Sequence, residues 1–156
     1  MIEAADEDVI NLIDLLFECL LDDSTVPSSL KGLIARLQIP MLKVALLDKR
    51  FFSCRSHPAR RLLNDVVCAA AGWSQRDSYQ RDKLFEQIET LAQRLLSDFV
   101  DDPEIFSRLL AAFDAFTWDE RRLRELLGQP ALADAPLFDR ALASVIGRLR
   151  QLNRVK

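Results

Sequence analysis

A single histidine, His57, stands in this chain of 156 residues. That scarcity removes the histidine-rich metal sites and leaves one imidazole for acid–base chemistry near neutral pH. Glycine is nearly as rare, with four in all. There is no Gly-rich phosphate loop, no G-x-S-x-G and no H-E-x-x-H, so no recognised catalytic signature is present. Four glycines and six prolines are also too few for a disordered chain or a many-stranded β fold. The three cysteines, Cys19, Cys54 and Cys68, are odd in number and widely spaced. This speaks against a disulfide framework and a zinc site, and for a reducing cytoplasm. In apolar stretches, Cys19 and Cys68 read as core thiols. No apolar run reaches the ~18 residues of a membrane span, and Met1-Ile2-Glu3 lacks the basic start of a signal peptide.

Lys and Arg are missing from the first 25 residues, which hold Glu3, Asp6, Glu7, Asp8, Asp14, Glu18, Asp22 and Asp23. The cations gather later. Lys43, Lys49, Arg50, Arg55, Arg60 and Arg61 face only Asp48 in one strip, and Arg140, Arg148, Arg150, Arg154 and Lys156 face only Asp139 in the tail. The formal net charge of -3 gives no global pull toward nucleic acid, and the basic tail lacks interleaved aromatics. Helix faces that neutralise one another within the fold are the favoured reading of this asymmetry.

The remaining pattern is helical throughout. Hydrophobic residues at 49% and charged residues at 29% are ordinary for one domain with a real core. Apolar residues recur at steps of three and four, as in Leu84, Ile88, Leu91, Leu95 and Phe99, and no stretch alternates as a strand does. The periodicity predicts helices near 6–21, 27–47, 58–71, 78–99, 103–127 and 136–153. The fold is therefore read as all-α: about six helices in an irregular bundle or short α-superhelix, without β-sheet. Residues 1–156 count as one domain, with a hinge at 73–78 where Ser74-Gln75-Arg76-Asp77-Ser78 is polar. Pro27, Pro58, Pro103 and Pro136 suit first helical turns, and Gly72 and Gly128 suit left-handed helix ends. Pro40 lies inside an apolar stripe. It removes a donor and clashes with the carbonyl of Arg36, so the helix there is kinked or split and packed deep in the fold. The run Leu20 to Leu37 echoes Leu95 to Phe113 as helix, acidic turn and proline-started helix.

The candidate working surface is the strip Lys43, Arg50, Phe51, Phe52, Arg55, His57, Arg60 and Arg61. Phe51 and Phe52 fall in a predicted extended connection, where one ring points inward and the other outward as an interface anchor. His57, just before Pro58, reads as a helix cap rather than a general base. Arg60 and Arg61 occupy a first helical turn, whose dipole favours anions. Either an anionic partner sits there or an internal carboxylate does, and the internal pair is favoured. Trp73 and Trp118 read as core filler. No catalytic, cofactor-binding or metal-ligating residues are assigned.

One block carries a family resemblance: Leu37-Gln38-Ile39-Pro40, Leu42-Lys43-Val44-Ala45-Leu46-Leu47-Asp48, Phe51-Phe52 and His57-Pro58-Ala59-Arg60-Arg61-Leu62-Leu63-Asn64. Phe85-Glu86-Gln87-Ile88-Glu89, Phe99 and Asp101-Asp102 add to it. The chain resembles a family of large proteobacterial proteins catalogued as domain of unknown function 1631, over roughly its first two thirds. The resemblance implies helical structure, a signalling context and a longer parent of which this chain is a fragment. Some relatives carry a thymidine phosphorylase label, which the lack of a phosphate loop and of α/β alternation does not support here. The function expected is a non-catalytic protein–protein interaction or scaffold module of a larger bacterial cytoplasmic protein. Its partner is another protein or another part of the parent chain, with self-association open. The alternative is an anion-binding regulatory module engaging nucleotide or nucleic acid through the strip 43–61.

Overall fold

The computed structural model describes residues 4–132 and 137–155, with side chains for 6–132 and 137–151. The described residues form seven longer helices and one four-residue helical turn: α1 (Ala4–Asp22), α2 (Ser28–Arg36), α3 (Gln38–Leu47), α4 (Arg50–Ser53), α5 (Pro58–Ala71), α6 (Ser78–Asp98), α7 (Glu104–Leu126) and α8 (Leu137–Val155). No strand occurs among them, so the fold is all-α. None of these helices is long and apolar enough to cross a membrane.

The sequence stripes become one core. Ile13, Leu16 and Phe17 of α1 pack with Met41 and Val44 of α3, Leu62, Val66 and Val67 of α5, Leu84 and Ile88 of α6, Phe106 and Phe113 of α7, and Phe138 of α8. α1 lies against both α3 and α8, while α5 lies against α7 and α8. Contact between the first and last helices closes the array into a bundle, because stacked repeats touch only their neighbours.

Pro40 acts as its position predicts. The helix is split at Leu37, which keeps helical angles (φ −76°, ψ −13°) and separates α2 from α3 without a loop. Pro40 itself is buried. The depth of α3 needs correcting, however. Pro40, Met41, Val44 and Ala45 are buried, but Ile39 and Leu47 on its other side are 59% and 57% exposed.

Helix ends follow local chemistry, with two corrections. His57 caps α5 ahead of Pro58, its Nδ1 accepting from the Ala59 amide at 3.2 Å. Gly128 has φ +68°, and the Gly128 and Gln129 amides bond the carbonyls of Glu125 and Arg124, a Schellman closure of α7. Gly72 ends α5 differently, at φ −89°, so it is not left-handed. Space is its reason, because a Cβ there would stand 3.2 Å from Nη1 of Arg76. Pro27 and Pro103 each lie one residue before their helix rather than in its first turn. Pro136 falls outside the described residues. The acidic turns of the internal echo each hold the chain two residues on: Asp23 Oδ1 accepts from the Thr25 amide and hydroxyl, and Asp102 Oδ1 from the Glu104 amide.

Candidate functional site

The strip read from the sequence folds around a short polar junction. Asp48 ends α3 and starts α4. Its Oδ1 accepts from the Arg50 amide at 3.1 Å and from Arg50 Nε at 3.0 Å, while its Oδ2 accepts from Arg50 Nη2 at 2.9 Å. The same Oδ2 meets His57 Nε2 at 3.1 Å. The Arg50 hydrogen bonds are the main cause that holds the Asp48 carboxyl well below the usual carboxylate range. Since His57 Nδ1 is an acceptor in the cap, Nε2 is the protonated nitrogen and donates to Asp48.

Phe51 and Phe52 lie in α4, not in an extended connection. Neighbours on a helix point about 100° apart, so both rings lean toward the core. Phe51 is completely buried, edge-on to Phe52, His57 and Phe138, and offers no surface to a partner. Phe52 is half-buried against the same cluster. Arg60 is also buried. It donates to the Phe52 carbonyl at 2.8 Å and to Asp139 Oδ1 at 3.2 Å, with its guanidinium 4.9 Å above the Phe138 ring. The internal carboxylate favoured from the sequence is thus Asp139. Arg61 reaches Asp114 at 3.9 Å with both side chains about half exposed. Arg55 is exposed and makes no ion pair among the described residues. The acidic N-terminal region finds cations within the molecule, through Asp6 of α1 with Lys49 and Asp23, just past α1, with Arg140.

A cleft of about 290 Å³ opens beside this junction, between Asp48, Cys54, Ser56 and His57 on one wall and Pro103, Glu104 and Ser107 on the other. Cys54 Sγ lies 3.2 Å from Ser56 Oγ. That hydroxyl, followed by the Ser56 amide, lowers the thiol below its ordinary range. Asp48, Cys54 and His57 do not form a nucleophilic relay, because His57 gives Nε2 to Asp48 and Nδ1 to the Ala59 amide, which leaves no ring nitrogen for the Cys54 thiol.

A second polar cluster escaped the sequence reading. Arg76, from the stretch expected as a hinge, is buried and gives Nε and Nη2 to the two carboxylate oxygens of Glu120 at 2.9 and 2.6 Å and Nη1 to the Ala69 carbonyl at 2.8 Å. Arg124, one turn past Glu120, donates to Gln80 Oε1 and to the Pro130 carbonyl. The second half of α7 therefore turns Glu120 and Arg124 inward, and Leu126 and Leu127 are exposed. Trp118 is exposed beneath Arg122 rather than filling the core. Trp73 packs partly against the core, its Nε1 bonded to the Arg81 carbonyl.

Another departure from an ordinary surface lies on α3. Lys43 is the one charge among its ten residues. Lys43 Nζ donates to the Phe99 carbonyl at 3.0 Å and sits 4.8 Å from the Phe99 ring. This contact brings the turn after α6 alongside α3, with Leu96 at 44% and Val100 at 71% exposure. Ile39 and Leu47, one turn to either side of Lys43, and Leu96 and Val100, in the segment around Phe99, are exposed, while Leu42 and Leu46 are half-buried.

Comparison with known proteins adds one relation. No curated protein matches the chain, and no solved structure does. The family model described as "Protein of unknown function (DUF1631) 2nd domain" matches residues 1–102, a span that holds α1 to α6, the junction and the whole outer face of α3. The chain belongs to the DUF1631 family.

Proposed function

We propose that this chain is a non-catalytic protein–protein interaction or scaffold domain of a larger bacterial cytoplasmic protein, and that it engages through the outer face of α3. The observation that carries the reading is that α3 has one charge in ten residues yet leaves Ile39 and Leu47 more than half exposed. A helix of that kind belongs in an interior, and open apolar patches rimmed by polar groups mark interaction sites. The rest of the strip supplies support instead of contact: Phe51 and Arg60 are interior, Arg50 is held by Asp48, and His57 caps α5. Anion binding through residues 43–61 would draw on Arg55 and the loosely paired Lys49 and Arg61, with Lys43 bonded to the Phe99 carbonyl and Arg50 to Asp48, and these show no common phosphate cradle.

Hydroxyl-radical footprinting tests the reading. Ile39, Leu47 and Val100 are expected to label several-fold less in the parent protein than in the isolated chain, because a partner covers them there. Equal labelling in both sinks the proposal.

A further inference from the structure

The geometry of the α3 face narrows what covers it. Ile39, Lys43 and Leu47 follow at intervals of four along α3, with Leu42 and Leu46 beside them. Lys43 lies between Ile39 and Leu47 and is the only charge on α3. Its ammonium spends one donor on the Phe99 carbonyl and keeps two more. Covering the face takes those donors out of water, and a buried ammonium must be paired. The occupant therefore brings apolar side chains at helical spacing with a carboxylate among them.

A second copy fits poorly. A two-fold axis through the centre of the face sets Lys43 against the same residue of the other copy, and like charges across an interface repel. A free partner is poorly served as well. Ile39, Leu47, Leu96 and Val100 are four exposed apolar residues, few beside the roughly 20–30 residues that each side of a stable complex contributes. Tethering removes that deficit, since a segment joined by a short linker is presented at an effective concentration of about millimolar. The description of the matched family numbers this domain second, so a neighbouring domain is at hand. We infer that the outer face of α3 seats an amphipathic, acid-bearing helix from a neighbouring domain of the same parent chain. This inference rests on the interaction reading above.

A benzophenone amino acid replacing Leu47 in the full parent protein tests it, with the same probe replacing exposed Glu18 on α1 as the control. Irradiation, electrophoresis and peptide mapping show where the probe lands. The expected link leaves the chain mass unchanged, maps to a helix outside residues 1–156, and forms at several times the Glu18 yield. Lys43→Glu should cut that yield about tenfold by setting carboxylate against carboxylate, while Lys43→Arg keeps it within about twofold. A link that doubles the mass, or one to a different protein, overturns the tethered occupant and leaves the interaction reading standing. A yield no higher than at Glu18 overturns both. An unchanged yield in Lys43→Glu, with helicity intact by circular dichroism, overturns the carboxylate.

Discussion

Two polar networks of similar chemistry sit in this fold, and they differ in what surrounds them. Arg76, Glu120, Gln80 and Arg124 lie between α5, α6 and α7, each buried and hydrogen-bonded, with Arg76, Glu120 and Arg124 lining a cleft of about 410 Å³. Asp48, Arg50 and His57 lie at the open junction of α3, α4 and α5, where only His57 is buried. Both contain an arginine held by two bonds to a carboxylate. In the buried network, removing one partner strands a charge with little access to water. In the open one, water takes its place. Burial decides how much each bond matters, more than its length does.

The comparison breaks first at Glu120. Glu120→Ala leaves Arg76 buried and unpaired and should cost about 3–5 kcal/mol in denaturant unfolding, while Arg76→Met with Glu120→Leu should recover most of it. Arg60 is the closed edge of the open junction. Arg60→Met keeps contact with Phe138 but deprives the Phe52 carbonyl of a charged donor, for an expected loss of about 2 kcal/mol. His57→Ala removes a helix cap and should cost about 1 kcal/mol by the same measurement. The Asp48 test is one of pH. A carboxyl held low by Arg50 stabilises the fold above its unfolded value, near ~3.9, and loses that contribution as pH falls through its folded value. Wild type should then lose stability more steeply than Asp48→Asn on acidification below about pH 4. Smallest of all, Arg61→Ala breaks a long, half-exposed pair and should change stability by under about 0.5 kcal/mol. A loss above about 2 kcal/mol there would show that the junction is not open in the sense described.

Periodicity made most of the helices legible, because a stripe such as Leu84 to Leu95 reports a buried face without knowledge of its partner. The break at Leu37 followed from Pro40 alone. Four-residue α4 has no period to read, so Phe51 and Phe52 passed for a connection. Arg76 and Glu120 are 44 residues apart, and nothing local in either helix announces the other. The role of Gly72 as a seat for Arg76 was hidden for the same reason. The α3 signal was present, one charge in ten residues, but sequence does not distinguish a face covered by its own fold from one left open. Of the candidate strip, the cap at His57 and the internal partner of Arg60 were readable from a proline and a dipole. The burial of Phe51 under Phe138 was not, because it depends on the last helix.

That last helix sets an order of events during synthesis. α8 lies on α1 and brings Phe138 to Phe51 and Arg60, although it enters the chain well after every residue it covers. Until α8 leaves the ribosome, α1 and α5 have one apolar side without cover, so the emerging chain holds an incomplete core that is open to chaperones and to wrong pairings. Covering α1, Phe51 and Arg60 is therefore a late, long-range step, set by the arrival of residues 137–145 more than by the helices that formed before them.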